Sequence, residues 1–384
     1  MNLVFVNIYF DSVLNGWKPL GATHMRLRYL DGMRGLAIAL VVLFHAYSRW
    51  PLEELFKQNF YFQAAFRYGY LGVELFIAIS GFVILQTLET TPKLTTFVFK
   101  RWLRLFPAML IGSLVIFSSS LVLANRPEGS LQLRDLLPGL LFIDPTMFSA
   151  VVGYPLKSAD GAFWSLYVEV FFYFFSAIAL YLFRDRKLVS VGAAFVIIGL
   201  PLNYALKFAL RLGIGPTGAI NLVTKVVSSS GIPFYCWFAL GCAMYLWTKE
   251  RRASRLLQAW AFGLMGVVAQ IVAKDWVAGL VSALIITLFI KSIEGNPILK
   301  SILECKPIVY LGAISYPLYL IHQNIITGLA NQIHLVLPNL STALLPIAPI
   351  ALVLVVAHGI MRIEPPLKAL LRWAIKRVGI SDSL

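Results

Sequence analysis

Arg34 and His45 lie on one apolar stretch that runs from Leu30 to His45, with Asp31 its only other charged residue. Eleven residues advance about three turns of α-helix, so both side chains share a face, about 16 Å apart along the axis. The guanidinium offers a fork for anionic oxygen and the imidazole a proton-transfer group near neutral pH, which together make a two-point site. Ionisable groups inside a membrane helix cost on the order of 2.5 to 3.5 kcal/mol and usually face a partner or a cavity. Asp31, one turn before Arg34, is placed to orient it. The plainer readings are an interfacial arginine paired with a carboxylate and a hydrogen-bonded core imidazole.

Two carboxylates sit in similarly apolar settings: Glu74, followed by Ser80-Gly81-Phe82, and Glu169, between Trp164-Ser165-Leu166 and Tyr173. At membrane depth a carboxylate needs a partner. Either is positioned to hold the His45 ring in one tautomer, as the acid of a catalytic triad does, or to bind a hydroxyl; a structural bond between helices is the simpler role. Arg101 and Arg104, at i and i+3 in the segment Lys100 to Pro107, would form with Arg34 a clamp for phosphates, expected at the membrane edge just ahead of a spanning helix. Tyr316, Tyr319 and His322 repeat every third residue. With Asp31, Ser80, Trp164, Ser165 and Tyr173 they are the expected cavity lining. Cys236, Cys242 and Cys305 lack CxxC spacing, so neither a disulfide framework nor a metal site is expected.

These residues must be positioned by membrane helices. The chain is 59% hydrophobic and 13% charged, with mean hydropathy +0.78, whereas soluble domains carry roughly a quarter charged residues. Apolar runs predict an all-α polytopic membrane protein of about ten helices, near 32–49, 69–88, 104–124, 161–183, 188–209, 231–248, 256–273, 276–291, 307–330 and 341–360. With a cytoplasmic N-terminus, the inner segments hold 23 of the 33 Lys and Arg residues. The positive-inside bias thus accounts for the net charge of +15 without nucleic acid, and both termini are expected in the cytoplasm. Helix 1 then runs outward, with Arg34 near the cytoplasmic boundary and His45 deeper.

Three regions are expected: an extension over 1–28, interfacial or preceding a true start at Met25; a membrane domain over 29–366; and a basic cytoplasmic tail over 367–384. The outer connection 125–160 contains Pro127, Gly129, Pro138, Gly139, Pro145 and Pro155 around the apolar run Leu136 to Ile143, too short to span and so expected to be re-entrant or interfacial. That connection and the Gly-rich loop 210–230 are placed to shape an acceptor entrance.

Taken in order, the motifs resemble the acyltransferase-3 family of integral membrane O-acyltransferases over about 29–366. The Arg-x10-His signature falls on Arg34 and His45, and Gly-Val-acid with Ser-Gly-Phe on Gly72, Val73, Glu74 and Ser80 to Phe82. Arg-x-x-Arg-x-x-Pro falls on Arg101, Arg104 and Pro107, and Trp-Ser-Leu-x-Val-Glu on Trp164 to Leu166, Val168 and Glu169. Ser-Tyr-Pro-Leu-Tyr-Leu-x-His falls on Ser315 to Leu320 and His322, and Glu-x-Pro on Glu364 and Pro366. Position 74 is Glu where many members have Asp, and 170 is Val where some carry a second Glu.

The resemblance implies a ten-helix core in a bacterial inner membrane that moves an acyl group, commonly acetyl, from cytoplasmic acyl-CoA to a carbohydrate or lipid-linked glycan. The Arg-x10-His pair would be the functional signature and Arg-x-x-Arg the donor side. A chain of 384 residues resembles the stand-alone type. No permanently bound cofactor is expected, acyl-CoA entering as co-substrate, and a homo-oligomer is compatible with the sequence. A general-base role for His45 and an acyl-histidine intermediate both stay open. A contrasting reading is a secondary transporter or flippase using His45, Glu74 and Glu169 as a proton relay.

Overall fold

The computed structural model describes residues 27–49, 60–91, 93–123, 125–183 and 231–377. The expected fifth helix, the loop 210–230, most of the N-terminal extension and the last seven residues lie outside the described residues.

All elements among the described residues are helical: α1 (Arg28–Tyr47), α2 (Phe60–Phe66), α3 (Gly72–Thr90), α4 (Leu94–Ser120), α5 (Leu137–Leu141), α6 (Pro145–Val152), α7 (Trp164–Phe183), α8 (Tyr235–Glu250), α9 (Ala253–Ala273), α10 (Trp276–Glu294), α11 (Pro297–Leu303), α12 (Lys306–Val336) and α13 (Ile347–Arg377). Local chemistry sets several starts: Asp144 and Asn296, immediately before Pro145 and Pro297, accept from the two backbone amides that follow each proline, and Asp275 caps α10 through the Ala278 amide. Among the described residues, seven helices are long and apolar enough to cross a membrane, or eight if α5 and α6, with the turn before them, count as one span bent by 114°. That bent pair covers the run expected to be re-entrant or interfacial.

The outward surface is what lipid requires. Leu257, Leu264, Val268 and Val272 make an exposed apolar stripe on α9, and Leu280 and Leu284 continue it on α10. The polar residues go inside. α12 is not among the seven spans, because its buried middle carries Ser315, His322, Gln323, Asn324 and Thr327.

At the centre, α1 and α12 touch backbone to backbone: a Cβ on Gly35 would lie 2.0 Å from the Ile308 carbonyl oxygen, and one on Gly312 would lie 1.8 Å from that of Asp31. The two helices run parallel, since Asp31 packs at Gly312 and His45 at His322. α3 runs against α1, with Gly72 at Ala37 and Gly69 at Leu40. α7 and α8 run the same way, Trp164 meeting Phe234 and Phe172 stacking on Phe238, so Phe183 and Tyr235 lie at opposite ends of the bundle.

Two boundaries differ from expectation. α4 begins ten residues before 104 and passes through Pro107, so Arg101 and Arg104 sit within a helix rather than ahead of one. Proline forfeits one backbone bond, and the buried Thr96, Phe97 and Leu103 faces hold the preceding turns in place. α13 likewise continues through Pro365 and Pro366 to Arg377, so the first eleven residues of the expected tail are helical.

Candidate active site

A cleft of about 80 Å³ opens between α1, α3, α4, α7 and α12, lined by Arg34, Ser80, Arg104, Ser165, Glu169, Ser315, Tyr316 and Tyr319 with the apolar Val73, Phe76, Ile77, Leu105 and Leu166. It places two guanidinium groups from different helices in the same space as one carboxylate. Arg34 is held by Asp31 at 3.0 Å, one turn away, as its spacing suggests. Glu169 accepts from Ser80 at 2.5 Å and from the Tyr173 hydroxyl, which ties α3 to α7. Tyr316 donates to the Leu105 carbonyl at 3.0 Å and Tyr319 to that of Ala162 at 2.8 Å, so both rings are fixed.

Tyr319 is the partition between this cleft and the histidines. Its ring stands 6.0 Å from Phe76 across the cleft and 5.5 Å from His322. Beyond it, His322 Nε2 lies 3.2 Å from His45 Nδ1. Hydrogen-bond inventory then assigns the protons. His322 Nδ1 faces the Tyr319 carbonyl at 2.8 Å, and a carbonyl only accepts, so this nitrogen carries the hydrogen and Nε2 the lone pair. His45 Nδ1 faces two acceptors, the Val41 carbonyl at 2.9 Å and His322 Nε2. It must donate, which leaves His45 Nε2 as the basic nitrogen.

Several expected residues fall elsewhere. The orienting role expected of Glu74 or Glu169 is taken by His322 and the Val41 carbonyl. Glu74 is buried and accepts from Gln270 at 2.8 Å, while Tyr70 donates to the same Gln270; this is a tie between α3 and α9. Arg101 does not join Arg34 and Arg104 in the cleft: it is buried, donates to the Thr87 hydroxyl and the Val83 carbonyl, and lies over the Phe97 and Tyr173 rings. Residues at i and i+3 share a face only loosely, and here one points to the interhelical core and the other to the opening. Trp164 is turned outward against Phe234, 39% exposed, and does not line the cleft. Asp31 and Tyr173 act one contact away, through Arg34 and Glu169.

An acyltransferase domain model, that of the acyltransferase-3 family, matches residues 27–361. The chain belongs to the acyltransferase-3 family. OatA of Staphylococcus aureus strain NCTC 8325, an O-acetyltransferase, is 24% identical over 333 residues, which is 77% of this chain and 50% of that protein. The peptidoglycan O-acetyltransferase OatA of Listeria monocytogenes is 23% identical over 360 residues, 83% of this chain and 52% of its own. BcsY of Komagataeibacter xylinus, named as a membrane-bound transacylase, is 31% identical over 174 residues, 43% of this chain and 40% of BcsY. The chain spans about half the length or less of these curated relatives. No solved structure matches.

Within the acyltransferase-3 frame, the structure adds residues that sequence reasoning missed. Ser315 lines the cleft, although it was visible as the first residue of the Ser-Tyr-Pro motif. Gln270 and Thr87, the partners of Glu74 and Arg101, carry no motif. Asp160, fully buried, accepts from Asn324 Nδ2 at 2.7 Å and the Ala162 amide at 2.8 Å, and burial pushes its carboxyl up to about 7. Its one signal was its place just before Gly161, at the start of a spanning helix.

Proposed function

We propose that this chain is a membrane O-acyltransferase of a bacterial inner membrane that moves an acyl group, by preference acetyl, from cytoplasmic acyl-CoA to a hydroxyl of a surface polysaccharide or lipid-linked glycan. One observation carries the reading: Arg34 and Arg104 converge on a cleft that a single ring, Tyr319, separates from a histidine whose bonds leave one nitrogen basic. Acyl-CoA has phosphates at one end of a long arm and a thioester at the other. The cleft has room for several waters, enough for the thioester end of the arm, with the phosphates at the arginines of its mouth.

The reaction balances without a further reactant. His45 Nε2 takes the proton of the acceptor hydroxyl as its oxygen attacks the acyl carbon; the oxygen–carbon bond forms, the carbon–sulfur bond breaks, and the thiolate leaves with the proton. His322 positions the ring for this step. The names of the OatA relatives support the O-acetyl assignment, and the peptidoglycan O-acetyltransferase among them supports a carbohydrate acceptor. A cytoplasmic donor side is supported by Lys249, Arg251 and Lys300, which gather with Glu89 and Tyr29 at the Arg34 end of the bundle.

A proton-coupled transporter would need a continuous relay. Among the described residues, the side-chain bonds of His45, Glu74 and Glu169 form three separate sets. The deciding experiment presents acetyl-CoA to purified chain in sealed vesicles. Thioester consumption with label appearing as ester supports transfer, and accumulation of intact solute without thioester loss would replace it with transport.

A further inference from the structure

At the end of the bundle opposite Arg34 and Arg104, the connection 125–160 folds over α12 and is tied to one residue. Asn324 donates from its backbone and its amide to Asp160, at 3.3 and 2.7 Å, and accepts from the Glu128 amide at 3.3 Å. Arg126, also buried, reaches the Ile116 and Ala159 carbonyls from the same side at 3.0 and 3.2 Å. These bonds fix Glu128 and Gly161 against the turn of α12 that follows His322.

Two polar side chains converge on the Gly161 backbone there. A Cβ placed on Gly161 would sit 2.5 Å from Glu128 Oε1 and 2.9 Å from Gln323 Nε2, so the missing side chain lets a carboxylate, which the Gly161 amide bonds, and an amide approach the same point. Gln323 is 9% exposed, and among the described residues its amide has no hydrogen-bond partner. Arg126 Nε is likewise buried and unpaired among the described residues. The pair is linked to the histidines through the same helices: Gln323 follows His322 in α12, and Arg49, one turn beyond His45, interacts electrostatically with both His45 and Glu128.

We propose that Glu128 and Gln323, facing each other across Gly161, form the subsite that binds hydroxyl groups of the carbohydrate acceptor. It rests on the O-acyltransferase reading above and assigns the acceptor to its own end of the bundle. A carboxylate that only accepts and an amide that both donates and accepts match the paired hydroxyls of a sugar ring. Donor and acceptor then approach His45 from opposite sides, the donor past Tyr319 and the acceptor past Gly161.

The test uses membranes from host cells that hold the full chain and their own surface carbohydrate, given acetyl-CoA labelled in the acetyl group. Label is counted as base-labile ester on carbohydrate and as free acetate. Glu128→Ala and Gln323→Ala are each expected to lower the ester-to-acetate ratio roughly tenfold, the loss expected for a hydroxyl contact of this kind. Gly161→Ala, whose Cβ would push both groups aside, should act in the same direction. Should Glu128→Ala fail to accumulate, Gln323→Asn, one methylene shorter, carries the same expectation. An unchanged ratio in the variants overturns the subsite, whereas wild-type membranes that consume no thioester overturn the O-acyltransferase reading itself.

Discussion

Replacing Gly312 with alanine is expected to disable the histidine pair from ten residues away. The new Cβ would lie 1.8 Å from the Asp31 carbonyl oxygen and 2.7 Å from its carbon, where ordinary contact begins near 3.4 Å. Both are backbone atoms, so no rotamer change relieves the clash, and α1 and α12 must part locally by about 1.6 Å, the difference between 3.4 and 1.8 Å. The same two helices hold the 3.2 Å bond between His45 and His322, which has about 0.3 Å of slack before it ceases to be a hydrogen bond. Overpacking of this kind costs about 1–3 kcal/mol of stability. A misplacement near 1 Å in a catalytic constellation costs on the order of 100-fold in rate. Acetyl-CoA turnover and thermal unfolding of the chain in nanodiscs measure both. Gly359→Ala, at a position in α13 with nothing within 4 Å, serves as the control and should match wild type. A Gly312→Ala protein with wild-type melting temperature and turnover would refute the argument that this close approach aligns the site.

Further outcomes follow from the same geometry. Arg34→Ala and Arg104→Ala should each raise the donor KM about tenfold or more, as expected for a lost charge-assisted bond, while Arg101→Ala should act first on the melting temperature; equal donor KM effects for all three would contradict the placement of Arg101. His322→Gln keeps an oxygen able to accept from His45 Nδ1, so it should retain well above the kcat of His322→Leu, and identical values would remove the positioning role. Asp160, ordinarily near 3.8 and pushed up to about 7, binds a proton in the folded state that the unfolded chain has released between those values. Stability should therefore fall as pH rises from about 4 to 7 and level off above, and Asp160→Asn should flatten that slope in melting curves; an unaltered slope would show that this carboxyl does not titrate with folding.

What the sequence made legible was whatever depends on local periodicity. The helical register of α1 put Asp31 beside Arg34, and the Tyr319–His322 spacing marked one wall of the site, because three- and four-residue neighbours meet on any helix. Partners from distant helices were not legible: Gln270 reaches Glu74 across 196 residues and His322 reaches His45 across 277, and no single sequence encodes such distances. The helix start expected near 104 was wrong in a specific way: α4 begins at Leu94, which moved Arg101 from the membrane edge into a helix, in a buried bond with Thr87. Trp164 failed for a related reason: its motif neighbours Ser165 and Glu169 face the cleft, while its own indole packs on Phe234.

The account depends most on His45 Nε2 as the base that activates the acceptor hydroxyl. The direct measurement is acetyl transfer from labelled acetyl-CoA to carbohydrate by His45→Ala in membranes, normalised to the amount of folded protein. A fall of at least 100-fold, the lower range for a lost general base, is the predicted result; transfer at the wild-type rate would contradict it.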